Sequence, residues 1–537
     1  MVAKEVYHVY EYLLKLRSRA ANKFNLPLEK INVGQTIIQA LDENPESICQ
    51  IDGDTGKKQT NGYVSQRVKE LAKSFHEAGL NPGDVIIINA PNGLETCVPV
   101  YAALLCGLPF VPLDSMSTCE EINHFVNIVN PKAIFCCKAN VDRVKSCIEY
   151  NETKCHLIVL DDPENNVKIF TDKFIRKGDI YYREFDLSTP ALLICTSGTT
   201  GKPKVAILTN QNILCSFPYN FLFFNNFPLS NETFFLISSI QWISAVYLYI
   251  GSAICGFTRL QTSLKLTTSV FSQIFETFKP SNLLINTAKL FDVFDHCDMS
   301  CLHLLLIGGS ALNKELEIKF RNRYPNVKYT KGYGMTELFQ LIFAPTSVGP
   351  LVAIGKPYTD RFKYRIVNTE TGMILTKPHE IGELHVKDEC KFVGYYNNEI
   401  ETKKLFTEDG YLKTGDLVYR DEDNYHYVVD RLKMVLKHKG FQVYPQEIED
   451  VLRRHNGVAQ AVVTSIPGEA GDIPTALVVK ASDVKAKELI DLVASSLSDY
   501  KRLEGGIVFV DELPLTVTHK VNRSKAKEIA AKGKREY

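Results

Sequence analysis

The residue types that can handle phosphate are concentrated in one short segment of this chain. Residues 192–194 are Leu-Leu-Ile and predict a buried strand, after which Gly198 and Gly201 let backbone amides approach an anion closely. The same loop carries hydroxyl donors and a lysine, namely Thr196, Ser197, Thr199, Thr200 and Lys204. Amides, hydroxyls and a positive charge bind phosphate oxygens, so the segment predicts a phosphate-binding loop.

This loop departs from the P-loop pattern. A P-loop has four residues between two glycines and then a lysine followed by Ser or Thr, whereas only two residues separate Gly198 from Gly201 and Pro203 follows Lys202. A surface turn rich in Ser, Gly and Thr is the alternative interpretation of such a loop on its own. Motifs further along the chain decide between the two.

Four more motifs follow the loop. They are Gly-Tyr-Gly-Met-Thr-Glu at 332–337, Tyr-Leu-Lys-Thr-Gly-Asp at 411–416, Asp-Arg-Leu-Lys at 430–433 and Leu-Pro-Leu-Thr-Val-Thr-His-Lys at 513–520. Taken singly, an Asp after Gly is typical of a turn, a Tyr between glycines of packing, and a Glu after Thr of a solvated side chain. Their combination in this order favours one nucleotide-dependent site.

From about Thr36 to Lys520, the chain resembles the adenylate-forming superfamily, which contains acyl-CoA synthetases, 4-coumarate-CoA ligases, beetle luciferases and the adenylation domains of peptide synthetases. The run Lys-His-Lys-Gly-Phe-Gln-Val at 437–443 and the total length make it most similar to the insect luciferase-like acyl-CoA ligases. The resemblance implies an enzyme that activates a carboxylic acid with ATP and Mg²⁺, releases pyrophosphate and passes the acyl group to CoA.

The resemblance also implies roles for the motif residues. The 196–204 loop would embrace the β- and γ-phosphates, and Thr336 would donate to a phosphate oxygen. Glu337 would bind Mg²⁺, which prefers oxygen ligands and keeps several waters. Lys520 would stabilise the charge that develops in the first chemical step. Adenine, ribose and phosphate would be held by Gly308, Gly309, Ser310, Tyr333, Gly334, Asp416 and Arg431.

A second half-reaction is implied by the residues after the 430–433 motif. Lys433 resembles the hinge residue of the superfamily, about which a small domain rotates between its two poses. Lys437 and Gly440 would then approach the nucleotide and open the path for the CoA thiol. A solvated basic loop is the alternative interpretation of the 437–440 segment.

Three positions depart from the superfamily pattern, and one of them, Asn-Gln-Asn at 210–212 where many relatives show His-Arg-Asn, is regarded as unimportant. His519 stands where a glycine normally precedes the catalytic lysine, and His adopts left-handed backbone geometry at some cost relative to Gly. Val205 stands where relatives generally have Gly after the loop lysine. If that position needs a positive φ, the valine would be strained and activity would be lower.

The acid-binding pocket is expected between residues 241–249, 306–310 and 334–343, and its candidate lining residues are Gln241, Trp242 and Phe339. Trp242, the only tryptophan, would gate the pocket, and the apolar surroundings favour a medium- or long-chain fatty acid. Many relatives, luciferases included, have a His pair or an aromatic-His pair at 241–242, and its loss argues against light emission. The alternatives are a luciferase-like monooxygenase and a degenerate acyl- or nucleotide-binding protein.

Composition narrows the partners and the compartment. The chain has 537 residues, of which 62 are basic and 62 acidic, so its balanced charge argues against nucleic acid as a partner. Its 14 cysteines include no Cys-x-x-Cys pair and are most simply reduced thiols, which suits a cytoplasmic location. The final residues are not a Ser-Lys-Leu signal, so peroxisomal import by another route is the alternative. The apolar stretch 242–257 predicts a buried helix, with peripheral membrane contact left open.

The elements that position these motifs predict an α/β fold. Short apolar runs alternate with helical lengths up to about residue 310, which indicates parallel sheets covered by helices in two layered α/β subdomains. After Pro378 the pattern changes to short strands of a β-rich subdomain. We expect an N-terminal AMP-binding domain over 1–431 and a small, mobile α+β domain over 432–537 that carries Lys520.

Overall fold

A computed structural model of the chain describes residues 2–161, 184–196, 204–224, 227–309, 312, 314–344, 349–357, 361–439, 441–468, 471–515 and 520–537. The described residues form two compact units. The first comprises those within Met1–Thr196, Pro203–Phe362 and Asp388–Lys404, and the second those within Lys363–Lys387 and Leu405–Tyr537. The predicted domain boundary after residue 431 stays a prediction.

The described helices, in chain order, are α1 (Val2–Phe24), α2 (Val33–Glu43), α3 (Asn61–Glu77), α4 (Cys97–Cys106), α5 (Cys119–Val129), α6 (Val141–Tyr150), α7 (Asn210–Asn220), α8 (Ile243–Cys255), α9 (Thr268–Phe278), α10 (Thr287–Phe294), α11 (Lys314–Arg323), α12 (Glu399–Leu405), α13 (Pro445–Leu452), α14 (Ala486–Ser496) and α15 (Arg523–Lys532).

The described strands are β1 (Ile48–Asp52), β2 (Lys58–Thr60), β3 (Ile86–Asn89), β4 (Phe110–Leu113), β5 (Ala133–Cys136), β6 (His156–Val159), β7 (Pro190–Thr196), β8 (Lys204–Thr209), β9 (Thr233–Leu236), β10 (Thr258–Gln261), β11 (Asn282–Asn286), β12 (Leu304–Gly308), β13 (Lys328–Lys331), β14 (Tyr333–Met335), β15 (Gln340–Ala344), β16 (Lys356–Pro357), β17 (Phe362–Val367), β18 (Ile374–Leu375), β19 (Gly382–Asp388), β20 (Leu412–Arg420), β21 (His426–Arg431), β22 (Leu436–His438), β23 (Phe441–Val443), β24 (Val458–Gly468), β25 (Gly471–Lys480) and β26 (Ile507–Phe509).

Two largely parallel sheets organise the first unit. One has the strand order β13-β12-β11-β9-β10-β1-β2, and the other has the order β6-β5-β3-β4-β7-β8. Only an edge strand of each, β2 or β8, pairs antiparallel with its neighbour. Strands β3, β4 and β5 are buried along their whole length, as expected for parallel strands covered on both faces. The predicted α/β layering is confirmed.

The second unit is built around antiparallel strands. One sheet has the order β18-β17-β19-β20-β21, and the other runs β23-β22-β25-β24, with β26 pairing parallel to β25. Helices α13 and α14 contribute Val451 and Leu489 to an apolar core with Val478 of β25. The predicted β-rich region and the α+β arrangement after it are therefore confirmed.

The start of α7 shows how local sequence fixes an element next to the phosphate loop. Thr209 ends β8, and its hydroxyl accepts the backbone N–H of Asn212, whose side chain in turn accepts the backbone N–H of Thr209. This capping box satisfies N–H groups that the first turn of a helix cannot pair internally. The chain thus passes from β8 directly into α7.

Two expectations drawn from the composition can be compared with the structure. Helix α8 is almost wholly buried, which confirms the buried helix predicted over 242–257, and no described helix has the length and apolar content to cross a membrane. Cys215 and Cys390 form a disulfide, so the expectation that the thiols are reduced is wrong for this pair. Helix α7 and the chain following β19 bring the two sulfurs together across 175 residues of sequence.

Candidate active site

Strands β7 and β8 hold the two ends of the predicted phosphate loop. Thr196 and Lys204 are paired across the two antiparallel strands, and the Thr196 hydroxyl lies 3.4 Å from the Lys204 carbonyl oxygen. The loop residues between them, Ser197, Gly198, Thr199, Thr200 and Gly201, lie outside the described residues. Because β7 and β8 are antiparallel neighbours in the sheet, Lys204 at the start of β8 lies beside Thr196 at the end of β7.

The Lys204 ammonium is held by two groups of the first unit. Its Nζ donates a hydrogen bond to the Glu401 carboxylate and lies 5.0 Å from the centre of the Tyr395 ring. A cation over an aromatic face is attracted by the ring quadrupole. The hydrogen bonds from Lys204 and then from Lys404 lower the pKa of Glu401 to about 2, so this carboxylate is ionised at neutral pH.

Tyr395 connects this lysine to the predicted metal ligand. Its hydroxyl donates a 2.8 Å hydrogen bond to Oε1 of Glu337, and both side chains are buried. Burial, followed by the negative charge of Glu337, raises the pKa of Tyr395 well above its ordinary value, so the phenol keeps its proton. The structure therefore gathers Lys204, Tyr395 and Glu337 into one cluster.

Thr336 and Glu337 lie in a single 3₁₀ turn, Thr336–Leu338, between β14 and β15. Phe339 ends the turn with φ 52°, a left-handed conformation that is rare for residues other than glycine. Its carbonyl accepts a 3.0 Å hydrogen bond from Asn220. Backbone strain of this kind is typical of functional sites.

The predicted adenine-binding segments lie side by side in the first unit. The Gly332 amide donates a 2.9 Å bond to the Ile307 carbonyl, which aligns the end of β12 with the chain leaving β13. Gly309 has φ +84°, and a Cβ on Gly334 would lie 2.4 Å from the Gln340 carbonyl oxygen. Glycine is required at both positions, by conformation at one and by close approach at the other. Ser310 lies outside the described residues.

A buried carboxylate anchors the strand that leads into this motif. Glu317 of α11 accepts bonds of 2.8 and 2.9 Å from Lys331, the last residue of β13. It also accepts 2.8 and 2.9 Å bonds from the Tyr329 hydroxyl and the Val352 amide, and it pairs with Arg321 at 2.7 Å. The chain before Gly332 and Tyr333 is thereby fixed to α11.

The expected acid-binding segments also converge. Gln241 is buried and Trp242 half-buried at the start of α8, and the fully buried Phe339 ring lies 6.0 Å from the ring of Tyr247, edge to face. Burial raises the pKa of Tyr247 to about 12. The Gln340 amide, next to Phe339, is buried and has no hydrogen-bond partner for either polar atom. Apolar and aromatic groups therefore dominate this region, and the buried amides of Gln241 and Gln340 are the polar exceptions named here.

In the second unit, two residues that are predicted to bind the nucleotide contact each other. Asp416 and Arg431 face each other across β20 and β21, and Arg431 Nε lies 3.1 Å from Asp416 Oδ1. The arginine side chain is half exposed, whereas the aspartate retains 12% of its surface. Neighbouring Asp430 is buried and accepts backbone N–H groups from Arg431 and Gln446, which ties the end of β21 to the start of α13.

The remaining predicted residues of the second unit lie on separate elements. Lys433 is exposed in the 3₁₀ turn Leu432–Met434, and Lys437 is exposed on β22, where its amide donates to Asp472. Lys520 is half-buried, and the next residue, Val521, forms an isolated antiparallel β-bridge with Leu515. Gly440 and His519 lie outside the described residues.

Val205 does not have the strained backbone considered above. It is an extended residue of β8 that is paired with Cys195 and 2% exposed. Its φ is not positive. Its side chain packs in the core with Leu193 and Phe125. The positive φ on which strain at Val205 depended is not found, because β8 continues straight from Lys204 into the sheet.

Three residues to which the sequence analysis gave no role take part in this site. Tyr395 and Glu401 contact Lys204 or Glu337, and Asn212 donates to the carbonyl oxygens of residues 390 and 391, just before them. The sequence marks Tyr395 only by the glycine before it, and the structure explains that glycine, since Gly394 has φ 130° and its Cβ position lies 2.6 Å from Thr402. For Glu401 there was no local signal.

The donor set suits Mg²⁺ held together with a phosphorylated substrate. Among the residues that the structure describes, His, Cys, Asp and Glu form no group of three or more that could hold a metal ion. Glu337 alone would then supply one carboxylate, and the other ligands would be substrate oxygens and water, the coordination that Mg²⁺ prefers. The cluster can therefore bring a cation, a lysine and a hydroxyl donor to a phosphate group.

Comparisons with known proteins agree with this geometry. Residues 38–396 match the family model described as AMP-binding enzyme, and residues 447–520 match the model described as AMP-binding enzyme C-terminal domain. Luciferin 4-monooxygenase from Photuris pensylvanica is 32% identical over 86% of this chain and 88% of its own length. A probable 4-coumarate–CoA ligase from Dictyostelium discoideum is 27% identical over 94% of this chain and 96% of its own.

A solved structure shares the fold. The O-succinylbenzoate coenzyme A synthetase from Bacillus subtilis, solved in complex with ATP and magnesium ion, superposes with a TM-score of 0.79 at 23% identity. The match covers 91% of this chain and 98% of that one. Motifs, fold and relatives agree, and the chain belongs to the AMP-binding enzyme family, in the luciferase-like and 4-coumarate-CoA-ligase-like group of the adenylate-forming superfamily.

Proposed function

We propose that this chain is an ATP- and Mg²⁺-dependent acid-thiol ligase that converts an apolar carboxylic acid, a medium- or long-chain fatty acid, into its CoA thioester. The observation that carries the proposal is the cluster of Lys204, Tyr395 and Glu337. It offers a lysine for phosphate and a carboxylate for a cation. The names of the relatives, a 4-coumarate–CoA ligase and a coenzyme A synthetase bound to ATP and magnesium, support the same chemistry.

In the first half-reaction, a carboxylate oxygen of the acid attacks the α-phosphorus of ATP. The bond from that phosphorus to the bridging oxygen breaks, and pyrophosphate leaves. Lys204 and Thr336 neutralise and orient the phosphates, and Lys520 stabilises charge at the reacting oxygens. Glu337 would hold Mg²⁺, which would supply positive charge to the phosphates when bound. Asp416, with Arg431 beside it, accepts hydrogen bonds from the ribose hydroxyls.

In the second half-reaction, the CoA thiol sulfur attacks the acyl carbon of the adenylate. The bond from that carbon to the phosphate oxygen breaks, AMP leaves, and the thiol proton passes to solvent. Lys433 as hinge and Lys437 and Gly440 as thioester-stage residues belong to this step by resemblance. We propose a cytoplasmic location for the reaction.

The acid is assigned from Phe339 and from two aromatic residues of the 241–249 segment. Trp242, Tyr247 and Phe339 are aromatic, and the second of these contacts the third, which favours an apolar chain. The luciferase-like alternative is favoured by identity to luciferin 4-monooxygenase alone. The alternative of a degenerate binding protein is motivated by Val205 and His519, and the first of these no longer supports it because Val205 is unstrained.

Pyrophosphate release tests the proposal. Purified protein would be given Mg-ATP and saturated acids of graded length, with and without CoA. We expect release that requires an acid, turns over with CoA and is strongest for medium or long chains. Light emission from an adenylated luciferin would favour the monooxygenase, and nucleotide binding without any pyrophosphate release would favour the binding protein.

A further inference from the structure

The ammonium of the phosphate-loop lysine already has an anionic partner within this chain. Lys204 donates to Oε2 of Glu401, and the two side chains retain 14% and 19% of their surface. Oε1 of the same carboxylate accepts a 2.7 Å bond from Lys404. A partly buried, hydrogen-bonded ion pair is screened less by solvent than a pair on the open surface.

Backbone structure holds Glu401 in this position. Asn398 Oδ1 accepts the Glu401 backbone N–H at 3.1 Å, which caps the first turn of α12 and sets the carboxylate in that turn. The chain just before the helix pairs with the edge of β8, since the Tyr396 amide donates to the Val205 carbonyl at 2.8 Å. Tyr395 and Glu401 are therefore fixed relative to Lys204 by main-chain contacts.

The same segment joins Lys204 to Glu337. The ammonium lies 5.0 Å from the centre of the Tyr395 ring, and the Tyr395 hydroxyl donates to Glu337. Any phosphate that binds Lys204 must share the ammonium with the Glu401 carboxylate or displace it. The carboxylate is ionised at neutral pH, so this competition is present throughout the range in which such an enzyme works.

We propose that Glu401 is a positioning residue that competes with ATP and pyrophosphate for the Lys204 ammonium. Without phosphate, Glu401 keeps Lys204 beside Tyr395. When pyrophosphate leaves, Glu401 takes the ammonium back, which offsets part of the cost of separating the two charges. This inference rests on the proposed function, because it takes from it the binding of phosphate by Lys204.

Binding measurements test the competition. Calorimetry would give the dissociation constants of Mg-ATP and Mg-pyrophosphate for the wild type and for Glu401→Gln. We expect both constants to fall about three- to tenfold in the variant, since the phosphates no longer compete with a carboxylate for the ammonium. Glu399→Gln removes an exposed carboxylate from the same helix and is expected to leave both constants unchanged.

A double-mutant cycle with Lys204→Ala separates competition from a structural role. Without Lys204, the change Glu401→Gln should no longer tighten binding, because no ammonium is left to release. Unchanged or weaker binding by Glu401→Gln, or equal tightening with and without Lys204, would overturn the inference. If Glu401→Gln melts below the assay temperature, Glu401→Asp is the substitute, because it keeps the charge but shortens the reach of the side chain. Glu401→Asp should tighten binding by a smaller factor, and unchanged binding in that variant would also overturn the inference.

The same experiment distinguishes this inference from the proposed function. If the wild type binds Mg-ATP but no acid releases pyrophosphate, the proposed ligase activity fails while the binding cycle still reports on Glu401. If pyrophosphate is released but the cycle shows no coupling between Lys204 and Glu401, the ligase stands and the inference fails.

Discussion

The hydroxyl of Tyr395 donates a 2.8 Å hydrogen bond to Oε1 of Glu337, a residue 58 positions earlier in the chain. Both residues are buried, so the bond fixes the direction in which the Glu337 carboxylate presents its second oxygen. A buried carboxylate that lost this donor would carry the cost of an unsatisfied charge. Tyr395 is therefore expected to matter for cation binding without touching the cation.

Tyr395→Phe tests this relationship. The variant keeps the ring under Lys204 but removes the bond to Glu337, so the carboxylate is less well oriented. We expect the Mg²⁺ concentration for half-maximal pyrophosphate release to rise about tenfold to a hundredfold, as for the loss of one hydrogen bond to a charged group. Tyr396→Phe is the matched control in the next position. An unchanged Mg²⁺ requirement in Tyr395→Phe would show that Glu337 does not depend on this bond.

Asp416→Asn tests the proposed ribose contact in the second unit. The substitution keeps the size of the side chain but removes the charge that faces Arg431 at 3.1 Å. We expect the dissociation constant of Mg-ATP to rise about tenfold to a hundredfold, since charge-assisted hydrogen bonds to the ribose are lost. The melting temperature should change little, because Arg431 is half exposed.

Asp423→Asn, in the turn between β20 and β21, serves as the control and should bind nucleotide like the wild type. Equal affinity of Asp416→Asn and the wild type would remove Asp416 from the nucleotide site. Measurement by calorimetry makes this comparison independent of turnover.

Glu317→Gln should destabilise the first unit in a pH-dependent way. Burial acts to raise the pKa of Glu317, but the bonds from Lys331, Val352 and Tyr329 hold it below its ordinary value of 4.5. A carboxylate with a lowered folded-state pKa adds stability above the ordinary value and loses it as the pH falls through the folded value. We expect a loss of about 3–5 kcal/mol in the free energy of unfolding at neutral pH.

Denaturant unfolding at several pH values checks this prediction. The difference between wild type and variant should shrink as the pH falls below the ordinary value of 4.5 and through the lower folded-state pKa, where the wild-type carboxylate becomes protonated. Glu315→Gln, at an exposed position of the same helix, should show a small and nearly constant effect. A constant difference at Glu317 across the whole pH range would contradict the linkage.

Val205→Gly should lower stability and fail to raise activity. Val205 is an extended, buried residue of β8, so glycine would leave a cavity and add freedom to the unfolded chain. We expect a loss of about 2–4 kcal/mol in the free energy of unfolding, with about half that loss in Val205→Ala. A rise in the rate of pyrophosphate release in Val205→Gly would mean that the valine does hinder the loop.

Trp242→Ala should broaden the range of acids that are activated. The side chain is half-buried at the start of α8, and removing it would lengthen the space available to an alkyl chain. Each methylene that newly fits should raise kcat/KM about fourfold, the equivalent of burying one CH₂ group. Phe291→Ala, which removes an exposed ring, is the control. An unchanged chain-length profile would count against Trp242 as the gate.

The sequence by itself determined the class of the fold and the order of the motifs. Buried parallel strands are apolar runs in the sequence wherever they occur, so residues 192–194 were recognisable as a strand without their neighbours. Gly309 and Gly334 were recognisable within their motifs, and the structure explains them by a positive φ and by a close approach. Signals of this kind are local, because one residue and its chain neighbours carry them.

Only the tertiary structure decided which side chains meet and what backbone each one adopts. Glu401 reaches Lys204 across 197 residues, and no spacing in the sequence encodes that contact. Strain at Val205 depended on a positive φ, but pairing with β7 places this residue in an extended strand, and Phe339 takes the left-handed conformation instead. Such outcomes depend on how strands pair and helices pack over long sequence separations, which is why the Lys204, Tyr395 and Glu337 cluster emerged only from the folded chain.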